Sequence, residues 1–131
     1  AVAPAVPVGY ATVSATLPGG TKLATTTYLG TAGPDSYSGS GADETVSGFG
    51  GADTLAGGDG NDTLSGGAGH DEIRGGAGRD EIYGGAGDDV VRAWADGTPD
   101  QVDCGVGVDR AVVDRTDATR RCETVVVRDP S

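Results

Sequence analysis

The chain has 131 residues, the length of a single domain, with a net charge of −11, 5% aromatic residues and 25 glycines. So acidic a surface argues against nucleic acid and anionic membrane as partners, since both require clustered Lys or Arg. No apolar run approaches the ~20 residues of a membrane span.

Residues 1–9 (AVAPAVPVG) read as a leader, and the absence of Met is expected to reflect a cleaved secretory signal. Tyr10–Thr16 and Thr21–Leu29 are Thr-rich and nearly uncharged, with the turn signal Pro18-Gly19-Gly20 between them. They are expected as strands or a hairpin that caps the first coil of a repeat stack, whose open edge needs covering. Residues 1–29 thus form a leader and cap.

From Gly57 to Arg92 one nine-residue unit is written four times without a gap: GGDGNDTLS, GGAGHDEIR, GGAGRDEIY, GGAGDDVVR. A fixed period overrides local structure signals. Glycines stand at positions one, two and four: Gly57, Gly58, Gly60; Gly66, Gly67, Gly69; Gly75, Gly76, Gly78; Gly84, Gly85, Gly87. Position six is Asp62, Asp71, Asp80 and Asp89, and position eight is Leu64, Ile73, Ile82 and Val91. Counting back by nine, Gly48–Ala56 keeps Gly48, Gly51, Asp53 and Leu55, with Gly50 at position three. Gly39–Ser47 is degenerate, with Glu44 and Val46 in the acidic and apolar slots, and Gly30–Ser38 has Gly33, Asp35 and Tyr37. Seven units therefore fill residues 30–92. They hold 19 of the glycines and −9 of the net charge. Seven apolar slots cannot offset backbone ordering at about 1–2 kcal/mol per residue, so composition alone reads as disorder. The regular Asp spacing changes that reading, because metal binding supplies folding free energy directly.

The unit G-G-x-G-x-D-x-U-x, with U aliphatic, resembles the calcium-binding nonapeptide of the RTX (repeats-in-toxin) family. The resemblance implies an all-β fold: a parallel β-roll, a right-handed β-helix-like solenoid with two units to each 18-residue coil. Glycine tolerates φ > 0 and lets the loop turn its carbonyls inward. Position six supplies a carboxylate, and positions seven to nine form a short strand. Calcium takes six to eight oxygens, so each ion would lie between loops 18 residues apart, bound by both carboxylates and by loop carbonyls. One edge would carry Asp35, Asp53, Asp71 and Asp89, the other Glu44, Asp62 and Asp80. The pairs with full glycine loops are Asp53–Asp71, Asp71–Asp89 and Asp62–Asp80. Asp35–Asp53 and Glu44–Asp62 have one loop without them. Carboxylates ~4.8 Å apart on stacked coils repel by roughly 3–4 kcal/mol at an effective dielectric of ~20, so calcium is expected to be the folding switch.

Residues 93–131 read as a C-terminal cap that continues the roll. Trp94 is expected to plug the end of the core. The phase then resumes two residues late, with Asp100 before Val102 and Asp109 before Ala111, so Asp80–Asp100 and Asp89–Asp109 pair if a bulge absorbs the slip. Thr124–Val127 is a β-branched run. Cys104 and Cys122 are one coil length apart. If both sit at the same point on successive coils, their Cα atoms fall inside the disulfide window of ~4.4–6.8 Å. A cysteine metal site would lack a second cysteine pair. The stretches VDCGVGVD and RRCETV resemble the C-terminal cap of secreted actinobacterial RTX-like calcium-binding proteins. RTX proteins exported with an uncleaved C-terminal signal usually lack cysteine. A cystine here fits an oxidising exterior and a secreted protein.

An enzyme is not expected. His70 is the sole histidine, so there is no H-E-x-x-H zinc site, and there is no G-x-S-x-G elbow. His70 stands at the variable fifth position with Asn61, Arg79 and Asp88 and reads as an exposed loop residue. Positions three and five show no Thr or Asn ladder of the kind that binds ice. One sheet would expose Ser38, Ala56, Arg74 and Arg92 in a column beside Ser36, Thr54, Glu72 and Val90. The other would expose Ser47, Ser65 and Tyr83 beside Thr45, Thr63 and Glu81. The sequence thus reads as a secreted, monomeric, calcium-folded β-roll. The alternative is a cell-surface or matrix adhesion module that uses one sheet face.

Overall fold

The computed structural model describes residues 11–16, 22–39, 41, 43–93 and 98–128, with side chains from residue 27 onward. The expected leader at residues 1–9, the turn at 18–20 and Trp94 lie outside them. Among the described residues the chain forms thirteen strands and no helix. In chain order these are β1 (Ala11–Thr16), β2 (Lys22–Leu29), β3 (Ser36–Ser38), β4 (Asp43–Ser47), β5 (Thr54–Asp59), β6 (Thr63–Ala68), β7 (Glu72–Ala77), β8 (Glu81–Ala86), β9 (Val90–Ala93), β10 (Gln101–Val106), β11 (Arg110–Val113), β12 (Ala118–Arg120) and β13 (Thr124–Val127).

Odd and even strands separate into two sheets. One runs β1-β2-β4-β6-β8-β10-β12 and the other β13-β11-β9-β7-β5-β3. The chain alternates between them and makes a β-solenoid of about five turns. Within the repeats each residue pairs in parallel with the one 18 places on, as in Leu55↔Ile73 and Leu64↔Ile82. At the N-terminal end β1 pairs antiparallel with β2, and β2 joins β4 in parallel, so a hairpin covers the first coil.

The strands are longer than the three residues expected. β5 to β8 each run six residues, from position seven through position three of the next unit, with Gly58 paired to Gly76 and Gly67 to Gly85. Position-two glycines hold φ between 91 and 101 inside these strands, a conformation that side chains resist and glycine adopts freely. The two-residue slip is not a bulge. Ile82 pairs with Val102 and Val91 with Ala111, so the extra residues fall in the connection between β9 and β10.

Val46, Leu55, Leu64, Ile73, Ile82, Val91, Val102 and Ala111 fill the interior, each at most 2% exposed. Burying one such aliphatic side chain gains about 1.5–3 kcal/mol, and each coil of the repeats from Val46 to Ile82 supplies only two. Tyr28 closes one end, its ring 4.5 Å from that of half-buried Tyr37. At the other end Cys104 and Cys122 form the expected disulfide, with Cα atoms 5.1 Å apart.

Candidate metal centres along the two turn edges

The position-six residues form two columns, one on each edge of the roll. Their backbone amides point along the solenoid axis, and each donates to the carboxylate one coil on. On one edge the steps are Asp35 N–H to Asp53 Oδ1 (2.8 Å), Asp53 to Asp71 (2.9 Å), Asp71 to Asp89 (2.9 Å) and Asp89 to Asp109 (2.7 Å). On the other, Glu44 donates to Asp62 (2.7 Å), Asp62 to Asp80 (2.9 Å) and Asp80 to Asp100 (2.8 Å). The structure therefore brings Asp100 and Asp109 into the same columns as the repeats, across the slip.

One oxygen of each carboxylate is used in this way. The second, Oδ2, of Asp53, Asp71, Asp89 and Asp109 is buried and has no hydrogen-bond partner, and these residues are 1–2% exposed. A desolvated anionic oxygen left without a donor is costly. The cost appears as carboxyl groups that hold their protons. Burial pushes Asp53 up to about 6 and Asp89 up to about 7, with neighbouring column carboxylates adding to the effect. Burial, followed by a hydrogen bond with the Glu44 carboxyl, pushes Asp62 up to about 8. Burial also raises Asp71 and Asp109.

Glycine serves two different purposes in these turns. Positions two and four need φ > 0: Gly60, Gly69, Gly78 and Gly87 hold φ between 103 and 117. The position-one glycines Gly48, Gly57, Gly66, Gly75 and Gly84 do not, contrary to expectation. A Cβ there would strike the Oδ2 of the unit's own aspartate; at Gly66 it would also come within 2.7 Å of the Gly84 carbonyl of the next coil. Position one is thus the floor of the carboxylate cradle. Gly50, at position three, shows no positive φ and lies outside this pattern, while Phe49 beside it takes φ 72 at the position-two slot.

The ends of the columns differ from the middle. Thr31 occupies position two of the first unit, and its amide (2.6 Å) and hydroxyl (3.1 Å) both bond to the Asp35 carboxylate. Asp35 is thereby satisfied by protein donors. At the other end Asp117 Oδ1 accepts from Asp100 N–H (2.9 Å), and Glu123 Oε2 accepts from Asp109 N–H (2.8 Å). These two caps stand 17 and 14 residues on rather than 18, so counting by nines misses them.

Position five builds an outer ladder that sequence reasoning also missed. Asn61 N–H donates to Asp43 Oδ1 (2.8 Å) and Arg79 N–H to Asn61 Oδ1 (2.9 Å) on one edge. On the other, Asp88 N–H donates to His70 Nδ1 (3.1 Å) and Val108 N–H to Asp88 Oδ1 (2.9 Å). His70 is exposed, as expected, but it also works as a backbone acceptor. Asp43, Asn61 and Asp88, short polar residues at this otherwise mixed position, were the available signal.

Among the described residues no group of three or more His, Cys, Asp or Glu side chains converges on one point. A cation held on these edges must take its remaining ligands from carbonyls, which suits a hard oxygen-seeking ion such as calcium. The buried, unpartnered oxygens and the Cβ-free floors beneath them fit that ion.

A family model described as RTX calcium-binding nonapeptide repeat (4 copies) matches residues 29–64 and 65–96, just over half of the chain. No curated protein and no solved structure matches.

Proposed function

Because the chain belongs to the RTX calcium-binding nonapeptide repeat family and is a calcium-binding β-roll, we propose that calcium drives its folding and that it works outside the cell as a non-enzymatic module. The observation that carries this reading is the row of buried Oδ2 atoms without donors at Asp53, Asp71, Asp89 and Asp109. Held ~4.8 Å apart, ionised neighbours oppose the fold by roughly 3–4 kcal/mol at an effective dielectric of ~20, and the two core residues per coil leave little to offset it. Bound calcium supplies the positive charge that turns this opposition into attraction.

The residues that would hold the ions are Asp53 with Asp71, Asp71 with Asp89, and Asp62 with Asp80, completed by carbonyls of the glycine loops. Asp80–Asp100 and Asp89–Asp109 extend the two series into the cap. Asp35 contributes less, because Thr31 already satisfies its carboxylate. Glu44 stands on a loop without the glycine pair. RTX β-rolls are typically structural or calcium-binding rather than catalytic, and the buried acids here are committed to the columns. The disulfide favours an oxidising compartment, the cell exterior, where dissociation constants of ~10⁻⁴–10⁻³ M suffice.

Far-UV circular dichroism tests the reading. In chelator the strand signal should fall, and calcium should restore it with a midpoint in that range. A roll fully folded in chelator and unchanged by calcium would refute it.

A further inference from the structure

Among the described residues, the outer face of the six-stranded sheet reverses the charge of the molecule. Arg74 on β7, Arg92 on β9, Arg110 on β11 and Arg128 just past β13 recur at 18-residue intervals, one for each successive strand of that sheet. The exposed acid on this face is Glu72, which pairs with Arg74 (3.4 Å) and more closely with Arg92. With Asp114, which follows β11 in register with Arg128, also counted, the face carries a net +2 on a chain of net −11. Arg92, Arg110 and Arg128 surround a cleft of about 310 Å³ floored by Val90 and Val112. Val112 points outward yet is 7% exposed, in keeping with arginine stems lying over an apolar floor. Among the described residues Arg110 makes no ion pair.

We propose that this face binds an acidic polysaccharide, whose sulfate or carboxylate groups are gripped by Arg74, Arg92, Arg110 and Arg128. Guanidinium forks match the planar oxygen pairs of such groups and hold them bidentately. Strands lie ~4.8 Å apart, so four arginines line a strip ~14 Å long down the solenoid axis, suited to a linear chain with recurring charge. The strip is one four-residue strand wide, ~13 Å, and the acidic turn columns flank it. A nucleic-acid duplex laid there would press its phosphates onto those turns. Single-stranded nucleic acid is held by aromatic stacking platforms, and no aromatic side chain lies on this face among the described residues. The proposal rests on the calcium-formed roll, since arginines 18 residues apart meet only when the coils stack.

The test is a titration of dextran sulfate into the full chain in saturating calcium, with neutral dextran as the blank and circular dichroism on the same samples. Dextran sulfate should bind with an affinity that falls as salt rises, and neutral dextran should not bind. Arg110→Gln, which breaks no ion pair, should weaken binding severalfold. Arg92→Gln with Arg110→Gln should weaken it at least about tenfold, the loss expected for charge-assisted bonds. Arg79→Gln with Arg120→Gln makes the same charge change off this face and should cost less than about twofold at physiological salt. Equal losses from the two pairs would overturn the site in favour of bulk charge, and so would a folded roll that does not bind. Duplex DNA binding as tightly, or self-association by sedimentation that the arginine pair abolishes, would reassign the face and overturn the polysaccharide. A roll that folds without calcium and still binds would uphold the site while refuting calcium-driven folding.

Discussion

Asp71→Asn should stabilise the chain without calcium and destabilise it with calcium. Asp71 stands mid-column, its Oδ1 accepting from Asp53 N–H and its own amide donating to Asp89. Asparagine keeps an oxygen for the first bond and leaves the second untouched, but removes the charge. At pH 8, above the values of about 6 and about 7 to which Asp53 and Asp89 are pushed, both neighbours are ionised in the metal-free fold. Removing the charge relieves roughly 3 kcal/mol or more of repulsion. A buried amide hydrogen without an acceptor returns about 1–2 kcal/mol of that, for a net gain of about 1–2 kcal/mol. With calcium at a hundredfold excess over its dissociation constant, each site contributes about 2.7 kcal/mol. The two sites sharing Asp71 therefore account for about 5 kcal/mol, and the variant should be about 3–4 kcal/mol less stable than the parent. Circular dichroism at pH 8 reads both quantities, from a trimethylamine N-oxide folding titration in chelator and a urea unfolding titration in calcium. A variant less stable than the parent in chelator, or one with undiminished calcium dependence, would show that the columns are not calcium sites.

Three further outcomes follow from the same geometry. Gly66→Ala places a Cβ against Asp71 Oδ2 and 2.7 Å from the Gly84 carbonyl, whereas Gly41 has nothing within 4 Å of its Cβ position; the first should cost about 1–3 kcal/mol and the second almost nothing or a slight gain. Equal thermal shifts would dismiss the cradle floor. For pH, the folded carboxyls of Asp53, Asp62 and Asp89 lie at about 6, 8 and 7, above the ordinary ~3.9 of the unfolded chain. The metal-free roll thus binds more protons than the unfolded state, and this contribution, complete below pH ~4, is lost as pH rises through 6 to 8. The strand signal retained in chelator should be larger at pH 5 than at pH 8, while calcium's contribution grows over the same window; a metal-free chain more folded at pH 8 would contradict the burial argument. Finally, the native chain should weigh two hydrogens less than its thiol form, and reduction should cost the cap ~3 kcal/mol or less. Calcium titration of the Asp62–Asp80 region should survive, and coupled loss of every site would show that the cap holds the whole roll in register.

Four contiguous units between Gly57 and Arg92 determine by themselves the period, the apolar slot and the two Asp columns. Each follows from counting along the chain, because a solenoid maps a fixed sequence interval onto a fixed step in space. Contacts whose spacing breaks that interval were decided only by the tertiary structure. Thr31 satisfies Asp35 from four residues away, and Asp117 and Glu123 cap the columns at 17 and 14 residues. Position one is glycine because the next coil's carbonyl and the unit's own carboxylate occupy the space a Cβ would need, a constraint that exists only once the coils are stacked. The arginines illustrate both sides. Their 18-residue spacing is legible in the chain, but the slip moves Arg110 to position seven. That they still surround one cleft over Val112 depends on which way each strand faces and how far a guanidinium reaches, which only the folded molecule decides.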